Sequence, residues 1–262
     1  MAAAIDVGGA RTRTSCAAGV FIAVTLALTG CSAPLSGHAT KAAGPAPARP
    51  IEQLAPTADE MSEALGSVMK PALVRSSDAI TLLPDGIGDT TPAACVGAKM
   101  GGMRQTYAQA PVTAAQTGSW DTSTDGNMFP RPEFHVRVAI VELKTSAAAS
   151  SLHRQFVSQW QQCQATPIVE HNVATVGSTF TDQITAVAEH DGLLTAIDMQ
   201  STDNRYDVHT DPQPIERAVA IAGRFLIDVD VDNTDGIPRN VIPPDHAVAV
   251  AKLIVSKITS NT

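Results

Sequence analysis

The chain is poor in basic residues: 18 Lys and Arg stand against 26 Asp and Glu, a formal charge of −8. Phosphate backbones are bound by clustered Lys and Arg, so this deficit argues against a nucleic-acid partner. It equally disfavours broad adhesion to anionic lipid head groups. The spacings that mark common catalysis are missing too. There is no Gly-x-Ser-x-Gly elbow, no phosphate-cradling glycine loop and no His-x-x-x-His pair. The seven histidines, His38, His135, His153, His171, His190, His209 and His246, are scattered. Long apolar runs are scarce as well. One stands out, Cys16 to Leu28, and its thirteen residues are broken by Gly19 and Thr25, short of the about 17–25 that a membrane-spanning helix needs.

What is present begins with that run. Arg11 and Arg13 precede it and small residues follow it, the order of an export signal. It ends in Leu28-Thr29-Gly30-Cys31, which resembles the lipobox of bacterial lipoproteins. The resemblance implies that Cys31 takes a diacylglycerol thioether and becomes the mature N-terminus. Residues 1–30 are then a lipoprotein signal peptide, and removing Arg11, Arg13 and Asp6 leaves a mature chain near −9. Membrane attachment is expected through acyl chains on Cys31, on the extracytoplasmic face of the cell membrane. Residues 31–56 are rich in Ala, Pro and Gly and are expected to be a tether, unable to bury a core.

Of four cysteines, Cys95 and Cys163 remain once Cys16 and Cys31 are assigned. Outside the cytosol such a pair is expected to be a disulfide. Two buried free thiols or half of a metal site are the alternatives, and no Cys-x-x-Cys or His spacing supports the metal.

Residues 57–262 are expected to form one domain. Thr57-Ala58-Asp59-Glu60 matches a capping box, with Met61, Leu65, Val68 and Met69 behind it at helical spacing. A second helix is expected from Pro92 to about Tyr107, weakened by Gly97, Gly101 and Gly102. Phe134–Leu143 reads as a strand, and Ser146 as the cap of a helix through Leu152, Phe156 and Trp160 to Cys163. Two hairpins follow: Thr179–Ala188 with Leu193–Ser201 across Asp191-Gly192, and Glu216–Ala222 with Phe225–Val231 across Gly223-Arg224. A last helix, from about Pro244 to Ile258, would bury Val248, Leu253 and Ile254. Consecutive strands with helices at the ends indicate an α+β domain with a twisted antiparallel sheet and helices packed against it.

Two clusters invite chemistry. Ser67-Val68-Met69-Lys70 with Lys144-Thr145-Ser146 resembles the Ser-x-x-Lys and Lys-Thr-Gly of penicillin-recognising enzymes. Here Ser replaces the Gly that admits substrate, and no Ser-Asp-Asn element lies between, so coincidence on a helix surface is the better reading. Asp228, Asp230 and Asp232, followed by Asn233 and Asp235-Gly236, suggest a calcium loop. Counted from Asp230, however, Asp235 and Val241 occupy the places of the required Gly and acidic residue. The simpler expectation is a half-buried strand, Phe225, Ile227, Val229 and Val231 inward and the aspartates in water. No catalytic residue, metal ligand or cofactor is therefore assigned, and the ligand-binding residues stay unknown.

Pro92-x-x-Cys95 with Tyr107 beyond, Trp160-x-x-Cys163 at a helix end, paired strands and a C-terminal helix together resemble the PknH-like extracellular sensor domain. That family includes the outer domain of a mycobacterial receptor kinase and many mycobacterial lipoproteins. The resemblance spans about Met69 to Ile258. It implies a disulfide-braced sheet and a large cleft for an unidentified ligand. A second disulfide known in the kinase's outer domain has no cysteines here. The expected function is a lipid-anchored, non-enzymatic ligand-binding or sensor module. With no kinase domain and no membrane span in these 262 residues, it is expected to hand its signal to a protein partner. Carriage of apolar lipid cargo in the cell envelope is the alternative, and an envelope hydrolase a lesser one.

Overall fold

The computed structural model describes residues 50–123, 133–172, 177–204, 206, 208–233 and 245–260. The proposed signal, Cys31, His38 and Asp235-Gly236 lie outside these residues. Among the described residues nine strands form a single sheet: β1 (Met69–Ser77), β2 (Asp89–Thr91), β3 (Val112–Thr122), β4 (Phe134–Leu143), β5 (Ile168–Asn172), β6 (Ser178–His190), β7 (Leu193–Asp203), β8 (Gln213–Ala222) and β9 (Phe225–Asn233). Their spatial order is β1-β3-β4-β9-β8-β7-β6-β5-β2, and every neighbouring pair is antiparallel. The α+β architecture read from the sequence is the one observed.

Helices cover both faces. Because side chains alternate along a strand, β4 and β9 each feed two cores. Val136, Val138, Ile140, Ile227, Val229 and Val231 pack under α5 (Asp245–Thr259) and α1 (Ala58–Leu65). Ala139, Val141 and Leu226 pack under α4 (Ser146–Cys163). In α4, Ala149, Leu152, Phe156, Trp160 and Cys163 make one buried stripe, the spacing of a helix face.

Local chemistry sets the helix ends. Thr57 caps α1 as expected, its Oγ1 accepting from Glu60 N at 3.2 Å while Glu60 returns the bond to Thr57 N at 2.7 Å. The helix stops at Gly66, which is left-handed at φ 63°, so Val68 and Met69 do not continue it. Met69 instead opens β1, an exposed edge strand, and Val68 is exposed. At α4 the cap is Thr145 rather than Ser146, with Thr145 Oγ1 accepting from Ala148 N at 3.1 Å. On α5 the buried residues are Ala247, Val250, Ala251 and Ile254. Ile254 was anticipated, whereas Val248 and Leu253 are only partly buried. The buried Glu216 carboxylate accepts from His246 N (2.8 Å) and Ala247 N (2.9 Å), supplying acceptors to otherwise orphaned first-turn amides of α5.

Two further expectations are corrected. Composition extends the tether to Pro56, but Ile51 and Leu54 are buried in the α1–α5 core, so the packed domain begins before Thr57. The single helix from Pro92 to Tyr107 is replaced by a 3-10 turn (Ala93–Cys95), α2 (Val96–Lys99) and α3 (Arg104–Tyr107). The chain turns at Gly101-Gly102, with Gly102 at φ 68°. The Cys95–Cys163 disulfide ties this segment to the last residue of α4, with Cα atoms 5.7 Å apart.

Candidate functional site

The same face of the sheet that carries α4 also carries a buried polar network. Arg137 on β4, Asp230 on β9 and Arg217 on β8 stand directly across from one another in the ladders. One row along, Ala139, Asp228 and Val219 are opposed. One row the other way, His135, Asp232 and Ile215 are opposed. Two of the three aspartates of β9 are thus not in water: Asp228 and Asp230 are each 1% exposed, while Asp232 is partly buried. The expectation of a half-solvated strand fails because helices and the 80–107 segment cover this face as well.

A buried charge must be paired and hydrogen-bonded, and these are. Arg217 pairs with Asp228 Oδ1 at 3.2 Å and with Asp230, donates to Gly97 O at 2.9 Å, and lies 5.1 Å over the Trp160 ring. Asp228 Oδ2 accepts from Gly102 N at 2.8 Å and from the Tyr107 hydroxyl at 2.9 Å. Asp230 accepts from Gly101 N at 3.1 Å and Arg137 Nε at 3.1 Å. The turn between α2 and α3 is therefore held on the sheet by two backbone amides. Burial, reinforced by Asp228, holds the Tyr107 phenol well above its ordinary pKa, so it serves Asp228 as a donor. Burial pulls Arg217 below its ordinary pKa, with Asp228 and Asp198 opposing.

A second cluster lies toward β5 and β6. Lys99 Nζ reaches Asp182 Oδ2 at 2.6 Å and Glu170 Oε2 at 3.3 Å, and sits 5.6 Å from the Phe180 ring centre. Gln200 Nε2 donates to Asp182 Oδ1 at 2.8 Å. Burial, reinforced by the adjacent Asp182, raises the Asp198 carboxyl well above the carboxylate range. Asp232 is also raised, by burial, with Arg137 and His135 opposing.

Two cavities open onto this network. One, about 180 Å³, is walled mostly by apolar and backbone groups, among them Leu73, Pro84, Gly101, Gly102, Gly118 and Val138. The other, about 250 Å³, is lined by Ile87, Lys99, Glu170, Phe180, Gln200, Ile215 and Asp232. Met100 and Arg137 line both, so they form the partition between an apolar chamber and a charged one.

None of the enzyme-like sequence motifs reaches this cleft. Gly66 separates Ser67 from α1 and Lys70 lies on β1, so the Ser-x-x-Lys pattern is not a helix face. Thr145 is spent capping α4. Asp228 and Asp230 already accept from guanidinium, amide and hydroxyl donors, which replaces the calcium reading of that run. The histidines do not converge: His135 meets Asp121 at 2.5 Å, His209 meets Asp203 at 2.7 Å and His246 meets Glu216 at 2.7 Å. His190 pairs with the adjacent Asp191, His171 contacts Thr179, and His153 is buried on the inner side of α4. Among the described residues no cluster of His, Cys, Asp or Glu is arranged to hold a metal ion. The polar network itself went unread in the sequence. Its signal was a charge inside each strong strand, Arg137 within Phe134–Leu143 and Arg217 within the β8 hairpin arm, which a two-sided core obliges to find a partner.

The class so defined is an antiparallel α+β domain, clasped by one disulfide, with a polar cleft floored by its sheet. The model of the PknH-like extracellular domain matches residues 46–257, and the chain belongs to that family. The crystal structure of the extracellular domain of PknH from Mycobacterium tuberculosis aligns with a TM-score of 0.61 at 20% identity, over 79% of this chain and 93% of that one. An X-ray structure of an uncharacterized protein from Mycobacterium smegmatis aligns at 0.35 and 10% identity, over 78% and 96%, too distant to argue from. No curated protein matches the chain. Family membership makes this an extracytoplasmic, sensor-type domain. Among the described residues no helix is long and apolar enough to cross a membrane.

Proposed function

We propose that the chain is an envelope lipoprotein, anchored by acyl groups on Cys31, whose domain binds a small ligand in the two-chambered cleft. The observation that carries the reading is the paired chambers meeting at Arg137 and Met100. Ligand sites are concave, largely pre-formed, and combine apolar walls with a few oriented polar groups. Here the Arg217–Asp228–Asp230 network fixes the floor, and the Gly101-Gly102 turn fixes one wall. The role is binding without a catalytic step, with the bound state read by a protein partner. Carriage of apolar lipid is less well supported, because chambers of about 180 and 250 Å³ are small and the larger carries Lys99, Arg137, Glu170 and Asp232 in its wall.

A thermal-shift screen of the chain against a small-molecule library tests the binding reading, since a ligand that binds only the native state raises the melting temperature. A hit should be lost in Ile215→Phe, which adds bulk to the chamber wall. A library that shifts nothing, or hits indifferent to that substitution, would overturn it. Anchoring is tested separately: Cys31→Ala should move the protein from the membrane fraction to the soluble one and abolish labelling by radioactive palmitate.

A further inference from the structure

Two charges of opposite sign face the charged chamber without meeting. Arg137 spends its Nε on Asp230, and among the described residues its two η nitrogens have no partner. Asp232, in the same chamber wall, accepts no hydrogen bond and makes no ion pair among the described residues. They are diagonal neighbours on β4 and β9, since Arg137 stands opposite Asp230 and Asp232 opposite His135. Diagonal residues on one sheet face lie about 7–8 Å apart, so the two attract each other but leave a gap.

The other charges in the wall are occupied. Lys99 is held by Asp182 and Glu170, so neither it nor Glu170 is as open to a newcomer as Arg137 and Asp232 are. A purely anionic ligand would satisfy Arg137, strand Asp232, and enter a region already richer in carboxylates than in cations. A purely cationic ligand would satisfy Asp232 and meet the uncovered guanidinium of Arg137. A molecule carrying both charges satisfies both groups and adds no net charge. Phe180, Ile215 and Met100 supply an apolar wall for its carbon skeleton. At about 30 Å³ per water in the liquid, about 250 Å³ accommodates a molecule of amino-acid or dipeptide size.

We infer that the charged chamber takes a small zwitterion, its carboxylate on the η face of Arg137 and its ammonium on Asp232. The inference rests on the ligand-binding reading above and names the chemical class of the ligand. Burial disfavours the ionised form of Asp232, so this carboxylate weakens the empty fold, as expected of a group placed for binding.

Titration calorimetry on the full chain tests it, using L-alanine, γ-aminobutyrate and glycylglycine as zwitterions of increasing charge separation, with n-butylamine and butyrate as single-charge controls. At least one zwitterion should bind tenfold or more tighter than both controls. Asp232→Asn should weaken that zwitterion tenfold or more and leave butyrate unchanged. Arg137→Lys, which keeps the charge but loses the fork, should weaken it while the protein remains folded by circular dichroism. No heat from any zwitterion, controls that bind as well, or an Asp232→Asn protein that binds equally would each overturn the assignment. In those cases a library compound blocked by Ile215→Phe would leave the binding reading standing, and its absence would remove both.

Discussion

Asp182 and Asp198 are neighbours on β6 and β7, both with no exposed surface, and they differ in what surrounds them. Asp182 is held by Lys99 and Gln200. Asp198 is raised well above 3.8 by burial and by Asp182, against the pull of Lys99 and Arg217. For an acid with a raised folded-state pKa, stability is lost as pH rises through that raised value and regained as pH falls toward 3.8. Asp232 adds a slope of the same sign. Asp198→Asn imitates the protonated carboxyl, so urea denaturation across this pH range should give a shallower profile than the wild type, with stability retained at its acid end. A profile as steep as the wild type's would contradict this. Asp182→Asn should be far more damaging, about 3–5 kcal/mol at neutral pH, because it strips a buried lysine of its nearer partner.

The turn joining α2 to α3 decides the shape of the cleft. Gly102 has φ 68°, and a Cβ there would lie 2.8 Å from the Ala139 Cβ. A Cβ on Gly101 would lie 2.7 Å from Asp228 Oδ1 and 2.8 Å from Arg217 Nη1. Gly102→Ala should cost about 1–3 kcal/mol in backbone strain plus displacement of the turn. Gly66→Ala is the control: φ is similar at 63°, but nothing lies within 4 Å of the added atom, so its loss by chemical denaturation should be the smaller. The disulfide acts at the same scale. It closes a separation of 68 residues, and Cys95→Ser with Cys163→Ser should lose about 4 kcal/mol by loop-closure entropy. The elements best legible in the sequence were those with one strong local signal: the Thr57 capping box, the Asp191-Gly192 hairpin and the apolar runs of β4 and β9. β1 was missed because Met69 continues the apolar spacing of α1, although Gly66 ends it. β3 was missed because Val112–Thr122 is a mixture of Ala, Gly, Thr and Gln with no apolar alternation. A continuous Pro92–Tyr107 helix does not form because its glycines do more than weaken a helix. Their role is long-range: Gly101 and Gly102 give their amides to aspartates more than 120 residues away, which no local window contains.

At the scale of the whole molecule, the question is where the Ala-, Pro- and Gly-rich stretch ends and the folded domain begins. Composition put the boundary after Pro56, because Ala, Pro and Gly dominate the stretch before it. Burial moves the boundary toward Pro50. Ile51 and Leu54 are 6% and 1% exposed and pack with Met61 of α1 and Ile254 of α5. Glu52 O accepts from Gln116 Nε2 at 3.2 Å, and Ala55 O accepts from Lys257 at 3.2 Å. Two apolar side chains inside a proline-rich stretch are too few to shift a compositional reading, yet each contributes about 1.5–3 kcal/mol when buried. A chain starting at Pro50 should therefore melt like the full domain. One starting at Thr57 should lose about 3–6 kcal/mol, a fall of roughly 6–24 °C in Tm for a domain of this size. Equal melting temperatures would mean that Ile51 and Leu54 are replaceable and that the tether does reach Pro56. A large fall would mean that Ile51 and Leu54, at the end of the Ala- and Pro-rich stretch, are working parts of the core that joins α1 to α5.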